Sequence, residues 1–290
     1  MFKGSMVALV TPFKDGKVDE SRLKELVKFH IDNGTDALVP CGTTGESATL
    51  SSEEHKQVVE IVVSAAGGKI PVIAGTDSNN TREAIELTEH ARHTGANGAL
   101  VISPYYNKPT QEGLYRHFSA IASAVDIPIV LYNIASRTAV NIEPATIARL
   151  AELDNIVAIK EASGNLSQMS QIVKLCGDKL TLISGDDALI LPILAIGGKG
   201  VISVVANIAP KQTARMIREF EKGNLAEARK IHYKLFPLIK AMFIETNPAP
   251  VKQSMELIGM IDGEIRLPLC RMKPENIKKL EKALKDFGLI

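Results

Sequence analysis

The chain has 290 residues, 45% of them hydrophobic, and its 34 basic and 33 acidic side chains leave a formal charge of +1. That is enough chain to bury a large core, and the mixed, nearly neutral charge excludes the basic face a nucleic-acid binder needs. The 3 cysteines, Cys41, Cys176 and Cys270, stand far apart with no CxxC pair, which excludes a disulfide or zinc framework and fits a reducing cytoplasm.

In chain order, the first apolar run is Met6–Val10, too short for a signal-peptide core. It opens a rhythm of eight short, β-branched runs: Met6–Val10, Ala37–Pro40, Ile70–Ala74, Ala99–Ser103, Ile127–Tyr132, Ile156–Lys160, Leu180–Ser184 and Gly200–Val205. Their nearly unbroken apolar character suits strands covered on both faces. Helical patterns lie between them. Glu20–Asn33 carries Leu23, Leu26, Val27 and Ile31 at helical spacing before the stop at Gly34. Ser51–Ala65 opens with SSEE, an N-cap serine followed by early acids. Thr81–His93, Gln111–Ala124 and Glu143–Glu152 repeat the plan. The longest apolar run, Ala188–Ile196, contains Pro192 and is too short to span a bilayer. A soluble, cytoplasmic protein without membrane partners is expected. After Asn207 the pattern is purely helical, with Lys211–Lys222, Leu225–Ala241, Pro250–Ile258 and Lys273–Phe287 read as helices beyond the barrel strands. Eight βα units predict an α/β fold, a (β/α)8 TIM barrel with a C-terminal helical extension. The catalytic barrel is expected over 1–224 and the helical region over 225–290. A doubly wound open sheet is the alternative, usually with fewer strands.

In such barrels chemistry sits at the C-terminal strand ends. Those ends read Thr11-Pro12, CGTTGES (41–47), Gly75-Thr76, SPYYNKP (103–109), YNIASRT (132–138), Lys160-Glu161 and SGDD (184–187). Lys160 closes the apolar run Ile156–Ile159, where a cation is costly to desolvate. Its side chain either snorkels to the rim or stands inside the barrel. Inside, desolvation favours a neutral amine, which attacks a ketone or aldehyde to form a Schiff base. Alternation places Ala158 and Lys160 inward together, Ala158 leaving room beneath, with Ile159 and Glu161 facing away. Gly42 and Gly45 let successive N–H groups turn toward a carboxylate or phosphate, helped by Thr43 and Thr44, although Gly-rich loops are also common punctuation. Tyr105, Tyr106 and Tyr132 are three of 5 tyrosines and lie at adjacent strand ends, as proton relays or as rim packing. Arg137 is either a carboxylate fork or a surface ion-pair partner. The 6 histidines fall on predicted helices, so no metal site is read. Gly197-Gly198 hints at a barrel phosphate site, or at turns, which keeps a sugar-phosphate aldolase or a pyridoxal-phosphate enzyme open.

The set CGTTGES, SPYYNKPTQEGLYRHF, YNIASRT, VAIKEASGN and SGDDAL, with VALVTPF, NPAPVK and RLPL, resembles the class I pyruvate aldolase superfamily of N-acetylneuraminate lyase, and within it the dihydrodipicolinate synthase family. The resemblance covers nearly the whole chain. It implies a lyase that condenses pyruvate with L-aspartate 4-semialdehyde on the diaminopimelate route to lysine, without a cofactor beyond the covalent imine. Lys160 would carry the imine, and Tyr132 would hold substrate and pass protons. Thr43 would join Tyr132 to Tyr106, which reaches in from a neighbouring subunit of a homotetramer. Thr43 and Thr44 would hold the pyruvate carboxylate, Arg137 the semialdehyde carboxylate, and Gly185 and Ile202 would line the pocket with carbonyls. Ser47, Ala48, His55, Asn79, Glu83 and Tyr105 fall on an allosteric lysine site, which implies feedback inhibition by lysine. Three positions depart from the pattern: Ala135 for proline and Ala139 for a frequent glycine, both beside Arg137, and Ser52 for a histidine seen in some members. The alternatives are a sibling aldolase acting on neuraminate or 2-keto-3-deoxy sugar acids, and a non-catalytic pyruvate- or lysine-binding regulator. Arg137 within SRT favours the synthase among the siblings.

Overall fold

The computed structural model describes residues 2–290. The apolar runs form β1 (Gly4–Ala8), β4 (Ala37–Val39), β5 (Ile73–Gly75), β6 (Gly98–Ile102), β7 (Ile129–Asn133), β8 (Ile156–Glu161), β9 (Thr181–Ser184) and β10 (Gly200–Ser203). Between β1 and the first helix, β2 (Phe13–Lys14) and β3 (Lys17–Val18) make a small antiparallel hairpin that the sequence reading missed. The helices are α1 (Glu20–Asp32), α2 (Ser52–Ala66), α3 (Thr81–Thr94), α4 (Gln111–Ala124), α5 (Ala135–Thr138), α6 (Pro144–Leu150), α7 (Leu166–Cys176), α8 (Ile190–Ala195), α9 (Pro210–Glu221), α10 (Leu225–Ala241), α11 (Ala249–Leu257) and α12 (Pro274–Phe287).

The eight long strands pair in the order β4-β1-β10-β9-β8-β7-β6-β5. A parallel bridge from Leu38 to Val72 joins the ends of that order and closes the sheet. Main-chain bonds from Leu38 to Pro71 (2.9 Å) and from Gly75 to Pro40 (2.9 Å) reinforce the closure. The fold is therefore the expected TIM barrel, a closed parallel sheet ringed by helices.

Alternation along the strands separates two packing layers. Met6, Ala8, Val39, Ile73, Leu100, Val130, Ala158, Ile183 and Ile202 fill the barrel interior. Their neighbours, such as Leu131, Ile159 and Leu182, pack outward under the helices. Helix α2 begins as its sequence dictates: the Ser51 hydroxyl accepts from the Glu54 N–H and the Glu54 carboxylate accepts from the Ser51 N–H. Of the four C-terminal helices read as lying beyond the barrel, α9 in fact packs on β1 as the eighth helix of the ring. The last helices are not a separate body. Leu235, Val251, Met255 and Leu280 share one continuous core with Leu9, Val10 and Val27. No described helix is long and apolar enough to cross a membrane.

Candidate active site

Lys160 stands one residue before the end of β8, inside the barrel and only 6% exposed, so the rim alternative is excluded. Its Nζ lies 4.0 Å from the ring centroid of Tyr132, its register partner on β7. An ammonium over that ring is attracted by the π face. Gly185, at the end of β9, is what makes room. A Cβ there would lie 2.7 Å from Ala162 Cβ and 3.1 Å from Lys160 Cγ. Ala158 sits beneath in the same inner layer, as does Ile202 on β10. Glu161 points the other way, fully buried, accepting from Asn133 Nδ2 (2.9 Å), the Ser163 N–H (2.7 Å) and Gln168 Nε2 (3.2 Å). The carboxylate next in sequence to the lysine is thus saturated and outside the reacting centre.

The loop after β4 turns through a short 3-10 segment, Thr43–Gly45. Among the described residues, the N–H groups of Thr43 and Thr44 find no acceptor. Two adjacent donors without a partner in the chain are what an anion nest there would require. The loop is held from below. Thr11 Oγ1 donates to Gly45 O (2.7 Å). Glu46, in a left-handed conformation at φ 54°, is buried and ion-paired with Lys252 at 2.5 Å. Lys252 also donates to Thr11 O (3.0 Å) and lies 4.2 Å from the Phe13 ring centroid. Burial lowers the Lys252 pKa, while the Glu46 charge opposes that shift. The Arg266 N–H closes on the other Glu46 oxygen at 3.2 Å.

Arg137 stands on α5, its Nη2 donating to Asn247 O at 3.1 Å. Ala139 ends that turn in the left-handed region at φ 58°, where glycine is the unstrained residue. This gives the departure at Ala139 a physical meaning: the arginine turn has the glycine-type geometry without the glycine.

A cavity of about 460 Å³ opens over this region, with Thr43, Asp77, Ile102, Arg137 and Asn247 in its lining. The same lining holds Ser47, Ala48, His55, Glu83 and Tyr105, five of the six residues read as an effector set. The sixth, Asn79, is adjacent, its Nδ2 donating to Tyr105 O at 3.1 Å. Burial lowers His55 to about 4 and keeps its ring neutral. Lys160 and Tyr132 are not part of the cavity lining. They connect to it through Ile102, the register partner of Tyr132, and through Asp77, whose carboxyl feels the Lys160 charge.

The contacts expected of Thr43 are not made within one chain. Tyr106 is 89% exposed. Among the described residues, no hydrogen bond joins Thr43 to Tyr132 or Tyr106. Four residues beside the site were given no role from the sequence: Asp77, and Glu46, Asn247 and Lys252 within the motifs CGTTGES and NPAPVK. Asp77 has its Oδ1 bonded to the Ile102 N–H (2.7 Å), and burial pushes it up to about 7 against the opposing effects of that bond and of Lys160. Its position after Gly75-Thr76 at a strand end was the available signal. The turn reading of Gly197-Gly198 has a packing reason, since a Cβ on Gly198 would meet Ile193 Cγ2 at 2.4 Å and Gly197 stands at φ 108°.

Comparison with known proteins agrees with this architecture. The model of the dihydrodipicolinate synthetase family matches residues 1–287. A protein of Syntrophus aciditrophicus named 4-hydroxy-tetrahydrodipicolinate synthase is 56% identical over 290 residues, covering 100% of both chains. The crystal structure of dihydrodipicolinate synthase from Aquifex aeolicus superposes with a TM-score of 0.98 at 54% identity over 99% of both chains. That of the Cyanidioschyzon merolae enzyme with lysine bound gives 0.97 at 44% identity, over 100% of this chain and 99% of the other. With a full-length match at this identity, and with Lys160 enclosed over Tyr132 in a TIM barrel, the chain belongs to the dihydrodipicolinate synthetase family.

Proposed function

We propose that this chain is a 4-hydroxy-tetrahydrodipicolinate synthase, a lyase that joins pyruvate to L-aspartate 4-semialdehyde through an imine on Lys160. The observation that carries the mechanism is the buried Lys160 amine over the Tyr132 ring, with Gly185 leaving it room. Pyruvate enters with its carboxylate on the Thr43 and Thr44 N–H groups. The Lys160 amine adds to the ketone carbon, and loss of water gives the imine. Once protonated, the imine draws electrons from the neighbouring methyl, which loses a proton to Tyr132 and becomes an enamine. The enamine carbon attacks the aldehyde, whose oxygen takes a proton and becomes the 4-hydroxyl. Arg137 holds the semialdehyde carboxylate in its planar fork. The amino group of the second substrate then attacks the imine carbon, closes the ring and expels the Lys160 amine. One water is released overall, and no metal or further cofactor is required. Gly185 and Ile202 present main-chain carbonyls to the intermediates.

The proton relay from Tyr132 through Thr43 is completed by Tyr106 of a neighbouring copy. The full exposure of Tyr106 supports an assembly, which we take to be a homotetramer. L-Lysine is the proposed feedback inhibitor, held by Ser47, Ala48, His55, Asn79, Glu83 and Tyr105. The cavity those residues share with Arg137 supports this, as does the lysine-bound relative. We place the enzyme in the cytoplasm, in keeping with its three free cysteines. A condensation assay coupled to reduction of the cyclic product, run with and without lysine, tests the function. Turnover with aspartate semialdehyde, and none with neuraminate or 2-keto-3-deoxygluconate, is expected. Cleavage of either sugar acid in place of the condensation would assign a sibling activity instead.

A further inference from the structure

Asn247 lies in the loop between α10 and α11, 203 residues from Thr44 in sequence. It is 5% exposed. Its side-chain Nδ2 donates to Thr44 Oγ1 at 3.0 Å, and its main-chain oxygen accepts from Arg137 Nη2 at 3.1 Å. One residue therefore touches both groups that the proposed mechanism assigns to substrate carboxylates.

A hydroxyl has one proton to give and two lone pairs to receive with. Thr44 Oγ1 receives from Asn247 and keeps its own proton, for which no described residue provides an acceptor. The N–H groups of Thr43 and Thr44 beside it are likewise free donors. Three donors with nothing to donate to, on two adjacent residues, suit a carboxylate and nothing positively charged. Asn247 Oδ1 is buried with no partner. A residue present only to fill space would not carry that desolvation cost. The amide is explained by its N–H, which fixes the direction of the Thr44 bond.

We infer that Asn247 is a positioning residue that commits the Thr44 hydroxyl to donating toward the keto-acid carboxylate, and that its main chain seats Arg137 beside the same substrate pair. The inference rests on the proposed role of Thr44 in holding pyruvate. It extends the carboxylate site from the loop after β4 to the C-terminal segment.

The test is a double-mutant cycle read in the coupled condensation assay, with thermal melts confirming that each variant folds. T44V removes the hydroxyl at constant shape, and N247A removes the donor. Each single variant is expected to raise the KM for pyruvate about 10-fold, the size expected for a lost hydrogen bond to a charged group. At saturating pyruvate kcat should stay within about two-fold. In the T44V background, N247A should add less than about two-fold, because the group it acts through is already gone. N247D fills the same space but offers no N–H, so its pyruvate KM should be at least as high as that of N247A. Equal effects of N247A in both backgrounds, or a wild-type KM for N247D, would overturn the inference while leaving the role of Thr44 intact. An unchanged pyruvate KM in T44V itself would remove the role of Thr44, and the inference with it.

Discussion

Single residues decide whether Lys160 can react. Gly185 is the sharpest case, since a methyl there meets Ala162 and the lysine stem within van der Waals contact. G185A is expected to lower kcat/KM by about 10- to 100-fold with little loss of fold, because small displacements of a reacting group are costly. Steady-state kinetics alongside a thermal melt would check this. Asp77 is a second case, its carboxyl pushed up to about 7 chiefly by burial. Its folded-state pKa is raised, so the folded protein holds a proton that the unfolded chain has released. Stability attributable to Asp77 is therefore lost as pH rises from about 4 to about 7. D77N should be more stable than the parent at pH 8 by about 4 kcal/mol and equal to it near pH 4, measured by denaturant unfolding across pH. At this scale the sequence was informative about Lys160, because a charge ending an apolar run stands out. It marked Asn247 and Lys252 as part of the motif NPAPVK but gave neither a contact, since their partners Thr44 and Glu46 are 203 and 206 residues away. Local patterns carry no trace of such contacts.

At the scale of elements, the loop after β4 is set by distant chain. Glu46 holds a left-handed backbone and is fully buried, paired to Lys252. Removing one partner leaves an uncompensated buried charge, so K252M should cost about 3–5 kcal/mol of stability, and E46Q/K252M together less than the sum of the two. Urea unfolding of the three variants would measure it. The α5 turn shares that left-handed strain, since Ala139 occupies φ 58° without glycine. A139G is expected to stabilise the fold by about 1 kcal/mol, visible as a rise in melting temperature, without harm to Arg137. Strands and long helices were legible because periodicity and capping are local. The β2–β3 hairpin went unread although Asp15-Gly16 is a turn signal, with both residues at positive φ. Its strands are two residues each, too short for a pattern. Helix α5 was equally invisible at four residues.

For the molecule as a whole, the eight strands closed as the βα rhythm required, and α9 joined the ring because its apolar face had β1 to cover. What one chain does not complete is the proposed proton relay, with Tyr106 exposed. If a neighbour supplies that tyrosine, two inactive variants should rescue one another. Co-expressed K160A and Y106F are expected to recover roughly a quarter of wild-type activity, since half of random pairs are mixed and one site in each is intact. Absence of recovery in mixed assemblies would place the relay within a single chain. The covalent step bears most directly on the whole account. Incubation with pyruvate and borohydride, followed by digestion and mass spectrometry, should find the reduced pyruvate adduct on Lys160 and none in K160A. An adduct on another residue, or no adduct in an enzyme that still condenses its substrates, would contradict it.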